Sequence, residues 1–165
     1  MRLTDLLAIY GASLSTATAV WNYFRARPQV RVLLIFALDK VDGESQTGIG
    51  ISVQNISNQP VHIAHVSFLY PYRRSTLQDK VKHLIRFKRI PRNDGWCHSS
   101  LSLHGIEDGC PVSIEPSKSH WIFVRHEVLD GLLEGAQSRR VKAVVQDALW
   151  RNTYSKALEY PAQQK

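Results

Sequence analysis

The stretch from Leu6 to Phe24, LLAIYGASLSTATAVWNYF, carries no charged residue. Its length is what a helix needs to cross a hydrocarbon core of roughly 30 Å. The expected membrane contacts are Leu6, Leu7, Ile9, Tyr10, Leu14, Val20, Trp21 and Phe24. Ser13, Ser15, Thr16, Thr18 and Asn22 make the stretch polar for a span, but Ser and Thr can return their hydroxyl hydrogen bonds to the helix backbone. Trp21 and Tyr23 fall where an aromatic belt would lie, with Arg25, Arg27 and Pro28 directly after them. Two other readings fit the same residues. Leu3, Leu6, Leu7, Tyr10, Leu14, Ala17, Trp21 and Phe24 have helical spacing, as in an amphipathic helix packed on a domain or lying in the interface. Ala17-Thr18-Ala19 resembles a signal-peptide cleavage site, although Asp5 in the short leading region and the aromatics that follow argue against it. The expectation is a retained anchor over residues 1–28. Arg25, Arg27 and Arg31, with no acid before Asp39, outweigh Arg2 against Asp5, so the rule that positive flanks stay inside places the rest of the chain in the cytoplasm. Gly11, Ser15 and Ala19 recur every four residues, a small face on which two such helices could pair into a homodimer.

Beyond the helix the hydrophobic period changes to that of strands. Val30 to Leu38 is apolar and β-branched, and the turn-rich Asp39-Lys40-Val41-Asp42-Gly43 follows it. Gly48 to Gln54 alternates, with Ile49, Ile51 and Val53 on one face, and closes at Asn55-Ile56-Ser57-Asn58-Gln59-Pro60. Val61 to Tyr70 is the next strand, and the connection of about six residues rich in Asn, Ser and Pro predicts that it pairs with Gly48 to Gln54 as a hairpin. Pro111 to Ile114 and His120 to Val124 read as strands around Glu115-Pro116-Ser117-Lys118, and Arg140 to Leu149 with Thr153 to Leu158 as a hairpin around Trp150-Arg151-Asn152. Val128, Leu129, Leu132 and Leu133 predict a short helix from Glu127 to about Ala136. The expected fold is mainly β: an immunoglobulin-like antiparallel β-sandwich over residues 29–165, with one or two short inserted helices.

The hydrophobic helix ending in aromatics and Arg, the strand after Pro28 and the run GIGISVQNISNQPVHIAHVSF together resemble a pattern in small bacterial proteins of uncharacterised role, which have a membrane helix and a sandwich domain. PVSIEPSKSHWIFV and VKAVVQDALWRNTYS are similar to the same group. The resemblance spans most of the chain and implies architecture. It carries no catalytic residue and does not extend to the basic middle segment.

At 165 residues the chain suits one hydrophobic core. Its formal net charge of +7 is strongly localised. Residues 71–92 hold Arg73, Arg74, Lys80, Lys82, Arg86, Lys88, Arg89 and Arg92 against Asp79 alone, and bases and acids balance elsewhere. Ser75 and Gln78 match a capping box, and Leu77, Val81, Leu84 and Ile85 form an apolar stripe, which predicts an amphipathic helix of about three turns. A strand over His83 to Ile90 is the competing reading. These eight cations are the expected polyanion site. Membrane lipid headgroups are its first partner, an acidic protein surface the second and nucleic acid the third. Tyr70, Tyr72 and Phe87 are its few stacking aromatics. Cations that only solvate an exposed helix explain the same run.

The search for chemistry yields no catalytic residue, no metal and no cofactor, and the expectation is a protein that is not an enzyme. Cys97, His98, His104 and Cys110 lie close in sequence, but there is no C-x2-C pair to build a zinc site on. A disulfide between the two cysteines conflicts with a cytoplasmic domain, so two partly buried free thiols are expected. His62 and His65, three apart on a strand, should point to opposite faces. His126-Glu127 begins a zinc-protease helix motif, but Asp130 stands where the second His is needed. Gly48-Ile49-Gly50 precedes a strand rather than the helix a dinucleotide site requires. Asp39, Asp42 and Glu44 lack calcium-loop spacing. Asn55-Ile56-Ser57 is a formal glycosylation acceptor. The expected function is a membrane-anchored, non-enzymatic binding or adaptor module; the alternative is a soluble nucleic-acid-binding protein that uses residues 71–92 and packs residues 6–24 as an ordinary helix.

Overall fold

The structure, a computed structural model, describes residues 3–25, 27–41, 43–74, 76–88, 93 and 95–161. It begins with helix α1 (Leu3–Arg25), and the remaining described chain is mainly antiparallel β. The strands are β1 (Val30–Val41), β2 (Glu44–Asn55), β3 (Val61–Pro71), β4 (Trp96–Ser100), β5 (Val112–Ile114), β6 (Ser119–Arg125), β7 (Arg140–Asp147), β8 (Asn152–Tyr154) and β9 (Leu158–Glu159). Helix α2 (Leu77–Phe87) connects β3 to β4, and α3 (His126–Leu133) connects β6 to β7.

One sheet has the order β1-β2-β6 and the other β4-β3-β7-β8, with β5 added to β3 and β9 to β7. Val32, Leu34, Ile49, Ile51, Val53, Ile122 and Val124 from the first sheet share one core cluster with Val61, Ile63, Val66, Phe68, Val141, Ala143 and Val145 from the second. Alternation accounts for most of this, since every second side chain of a strand faces the core. On α3, Leu129, Leu132 and Leu133 are buried at helical spacing, which seats that helix on the same core.

The β2–β3 hairpin expected from sequence is not formed. β2 pairs with β1 and β6, whereas β3 pairs with β4, β5 and β7, so residues 55–60 cross from one sheet to the other. The fully buried Asn55 builds this corner. Its Nδ2 donates to the carbonyls of Gln59 and Ile114 at 2.8 Å each, and its Oδ1 accepts from Ser57 N at 2.9 Å and Ser57 Oγ at 2.6 Å. The backbone of Asn55 is also bonded in both directions, to Lys118 O and from Ser117 N. Every side-chain hydrogen-bonding group of Asn55 is therefore engaged inside the fold, which leaves no room for a glycan.

The hairpin that does form is β1–β2, with Val41 opposite Glu44 and both strands longer than expected. Gly43 takes φ +86° there, the left-handed geometry a two-residue hairpin turn needs; Asp42 lies outside the described residues. β4 was not foreseen. The β7–β8 hairpin is present with its turn two residues earlier than expected, because the Asp147 carboxylate accepts from Leu149 N at 2.9 Å and Arg151 N at 2.8 Å.

Where β3 changes partner it bulges. Register passes from Ile63 opposite Asp147 to His65 opposite Gln146, leaving Ala64 as the extra residue. Core-facing parity then switches from Val61 and Ile63 to Val66 and Phe68. Strict alternation had assigned His62 and His65 to opposite faces; the bulge corrects this, and both side chains are exposed.

Candidate functional site

The helix α1 stands clear of the β domain. Its Leu3–Tyr23 portion is long and apolar enough to cross a membrane by length and composition, and none of it is buried against the domain. Leu6, Leu7, Ile9, Tyr10, Leu14, Val20 and Trp21 are all exposed, Trp21 to 67%; the side chain of Phe24 lies outside the described ones. A helix packed on the domain, as the soluble alternative requires, would bury one of these faces. The polar residues are accommodated locally. Ser13 Oγ donates to Tyr10 O at 2.9 Å, Thr16 Oγ1 to Ala12 O at 2.8 Å and Thr18 Oγ1 to Leu14 O at 2.8 Å, so these hydroxyls need no water. Beyond the apolar stretch the Arg27 guanidinium bonds the Tyr23 hydroxyl and lies 4.5 Å from the centre of its ring.

The basic segment forms α2, so the helix reading holds over the strand. The segment is an excursion from the β3–β4 hairpin. Its base is closed by Pro71 opposite Trp96 and by Tyr72 N and Arg73 N, both donating to Gly95 O at 2.9 Å. Lys142 Nζ packs 4.5 Å from the centre of the Trp96 ring beside this base. Arg73 and Arg74 just after β3, Lys82 and Arg86 on the helix, and Lys88 just after it are all exposed. None of these five forms an ion pair with a described carboxylate. Arg89 and Arg92 lie outside the described residues, as does Ser75 of the capping box, and the Lys80 side chain is likewise not described. Five of the eight expected cations thus share one exposed excursion, free of local neutralisation by described acids.

The other sequence candidates have ordinary structural roles. Cys97 and Cys110 are free and half-buried. Burial and then the Asp108 carboxylate push the Cys110 thiol up to about 12, which keeps it protonated and a poor nucleophile. His104 Nε2 lies 2.6 Å from Ser99 Oγ. Burial, then the nearby His65, lower the pKa of His98. Among the described residues no three His, Cys, Asp or Glu side chains gather into a set able to hold a metal ion.

One cluster was missed by sequence reading. His126 Nδ1 meets the Tyr160 hydroxyl, while its Nε2 lies 3.0 Å from Asp130 Oδ2. Arg139 joins both, bonding Asp130 through Nη2 and the Tyr160 carbonyl through Nε at 3.0 Å. Tyr160 stacks on Phe36 with ring centres 5.7 Å apart. Its phenol is held above its usual range by burial and then by Asp130, with Arg139 opposing. The cluster clamps the end of the described chain to α3 and β1. Asp130, the residue that breaks the zinc-protease motif, lies against His126 and accepts from Arg139. Only the four-residue His126–Asp130 spacing was visible in sequence.

The outer face of the first sheet carries an apolar strip. Trp121 and Phe123 lie against β2 where Gly50 and Gly48 leave space: a Cβ on Gly50 would fall 2.0 Å from the Trp121 ring, and one on Gly48 would fall 3.0 Å from the Phe123 ring. Leu33 and Ile35 continue the face on β1, both exposed. No protein-family model and no curated protein matches this chain.

Proposed function

We propose that this chain is a single-pass membrane protein whose cytoplasmic β domain is a non-enzymatic binding or adaptor module, and that its basic excursion engages anionic lipid headgroups. The observation that carries the reading is the unburied apolar helix α1, tethered to a domain whose charge excess lies in residues 71–92, where Arg73, Arg74, Lys82, Arg86 and Lys88 are exposed. About 1 kcal/mol is available per Lys or Arg held near an anionic surface. The three arginines after the apolar stretch support a cytoplasmic domain. An immunoglobulin-like arrangement is supported by strand order. With β1, β2 and β6 as strands A, B and E, and β3, β7 and β8 as C, F and G, β4 takes the place of C′ beside C.

The test holds the full chain in phosphatidylcholine nanodiscs and titrates it with vesicles containing phosphatidylserine, with DNA duplex or single strands as competitors. Salt-sensitive vesicle binding is expected. Replacing Arg73, Arg74, Lys80, Lys82, Arg86, Lys88, Arg89 and Arg92 by Gln should abolish it. Unchanged binding by that variant would show that the charge is misassigned, and displacement of vesicles by equimolar DNA would favour the nucleic-acid alternative.

A further inference from the structure

Helix α2 combines two properties that a headgroup site alone does not require. Leu77, Val81, Leu84 and Ile85 fall within an arc of about 100° on the helix, and all are exposed in the structure, Leu77 to 80% and Ile85 to 75%. Phe87 extends the apolar surface at the C-terminal end, 56% exposed, beside the His83 ring at 4.7 Å. Lys82 and Arg86, one turn apart, lie outside that arc, and both are exposed. A helix that merely solvates itself would show polar residues all round, and one belonging to the core would bury its stripe. This helix does neither.

From this we infer that α2 is a second membrane contact, lying in the plane of an anionic bilayer surface with Leu77, Val81, Leu84 and Ile85 inserted below the headgroups. The inference rests on the membrane-anchored reading with the domain lying along the bilayer, because β1 starts beside Asn55 and the start of β3, whereas α2 leaves from the other end of β3. Its occupant is fixed by charge complementarity. A short helix with an apolar stripe and exposed cations that no described acid pairs matches the boundary between acyl chains and acidic headgroups. An apolar protein groove would match the stripe but would leave Lys82, Arg86 and Lys88 without partners. Tyr72 N and Arg73 N close the hairpin base on Gly95 O, so the excursion that carries α2 projects from a completed β3–β4 pair. Insertion would use the apolar area that the fold leaves in water, while the cations supply selectivity for anionic lipid.

The test places an environment-sensitive NBD fluorophore at Ile85→Cys, and separately at Lys82→Cys, in a full-length chain carrying Cys97→Ser and Cys110→Ser. Each protein is reconstituted into bilayers with 30% phosphatidylserine or with phosphatidylcholine alone, with and without brominated acyl chains. The expected result is a blue shift and at least twofold bromine quenching at position 85 in anionic bilayers, little quenching at position 82, and loss of the effect in phosphatidylcholine. Hydrogen exchange of residues 77–87 in the unsubstituted chain should slow in the same anionic bilayers, which guards against artefacts of labelling or folding. A chain that stays bilayer-bound while position 85 remains in water would overturn the inference and leave the anchor standing. A blue shift without bromine quenching would also overturn it, by assigning the stripe to a protein surface. Release of the intact chain from the bilayer would instead sink the anchored reading on which the inference rests.

Discussion

Replacing Asn55 by Ala should lower the unfolding free energy of the domain by about 3–4 kcal/mol, since each lost neutral hydrogen bond removes about 1 kcal/mol and each orphaned buried partner adds to the loss. Four side-chain bonds disappear together: those to the carbonyls of Gln59 and Ile114, and those from Ser57 N and Oγ. Ile114 belongs to β5, so its bond is the side-chain link between the end of β2 and the opposite sheet. Asn55→Asp is the informative companion. It keeps the acceptor for Ser57 but turns a carboxylate toward two carbonyl oxygens, and should be as destabilising as Ala. Urea unfolding of the full chain in mild detergent, followed by tryptophan fluorescence, measures both. A loss below about 1 kcal/mol for either variant would mean that the corner does not depend on this side chain.

The second large effect is expected at Gly48. A Cβ there would lie 2.1 Å from the carbonyl oxygen of Val124 on the paired strand β6, so backbone would have to move. Gly48→Ala should cost about 3 kcal/mol, at the upper end of overpacking effects, because a sheet pair must part. Gly50→Ala meets a different obstacle, the Trp121 ring at 2.0 Å. That ring is 44% exposed and can swing outward, so about 1 kcal/mol is expected, and Trp121→Ala should relieve it. The same Trp121→Ala change should not rescue Gly48→Ala. Equal costs at the two glycines, or rescue of both, would show that the β2–β6 approach is looser than the geometry implies.

These two sites also mark how far sequence alone reaches. Ile49, Ile51 and Val53 announced β2 and its buried face, because alternation is a local property of the chain. The partner of β2 was not local. A connection rich in Asn, Ser and Pro looks the same whether it closes a hairpin or turns a corner between sheets, and only the bond from Asn55 to Ile114, 59 residues away, separates the two. β4 escaped notice because Trp96-Cys97-His98-Ser99-Ser100 has no hydrophobic alternation and is a strand through its pairing with β3. The parity argument for His62 and His65 failed at Ala64, since a bulge adds a residue without any sequence mark. In the candidate site, the stripe and cations of α2 were legible because a helix displays its own period. That the stripe faces water, and that no described acid neutralises the cations, emerged only in three dimensions. The clamp of His126, Asp130, Arg139 and Tyr160 joins residues separated by up to 34 positions and had no local signature.

On the proposed reading, α1 holds this domain at a membrane. The most direct test is alkaline carbonate extraction of membranes from cells expressing the full chain. The intact chain should stay in the membrane pellet at high pH and salt and be released only by detergent. Recovery of the chain in the soluble fraction without detergent, with residues 1–27 still present, would contradict it.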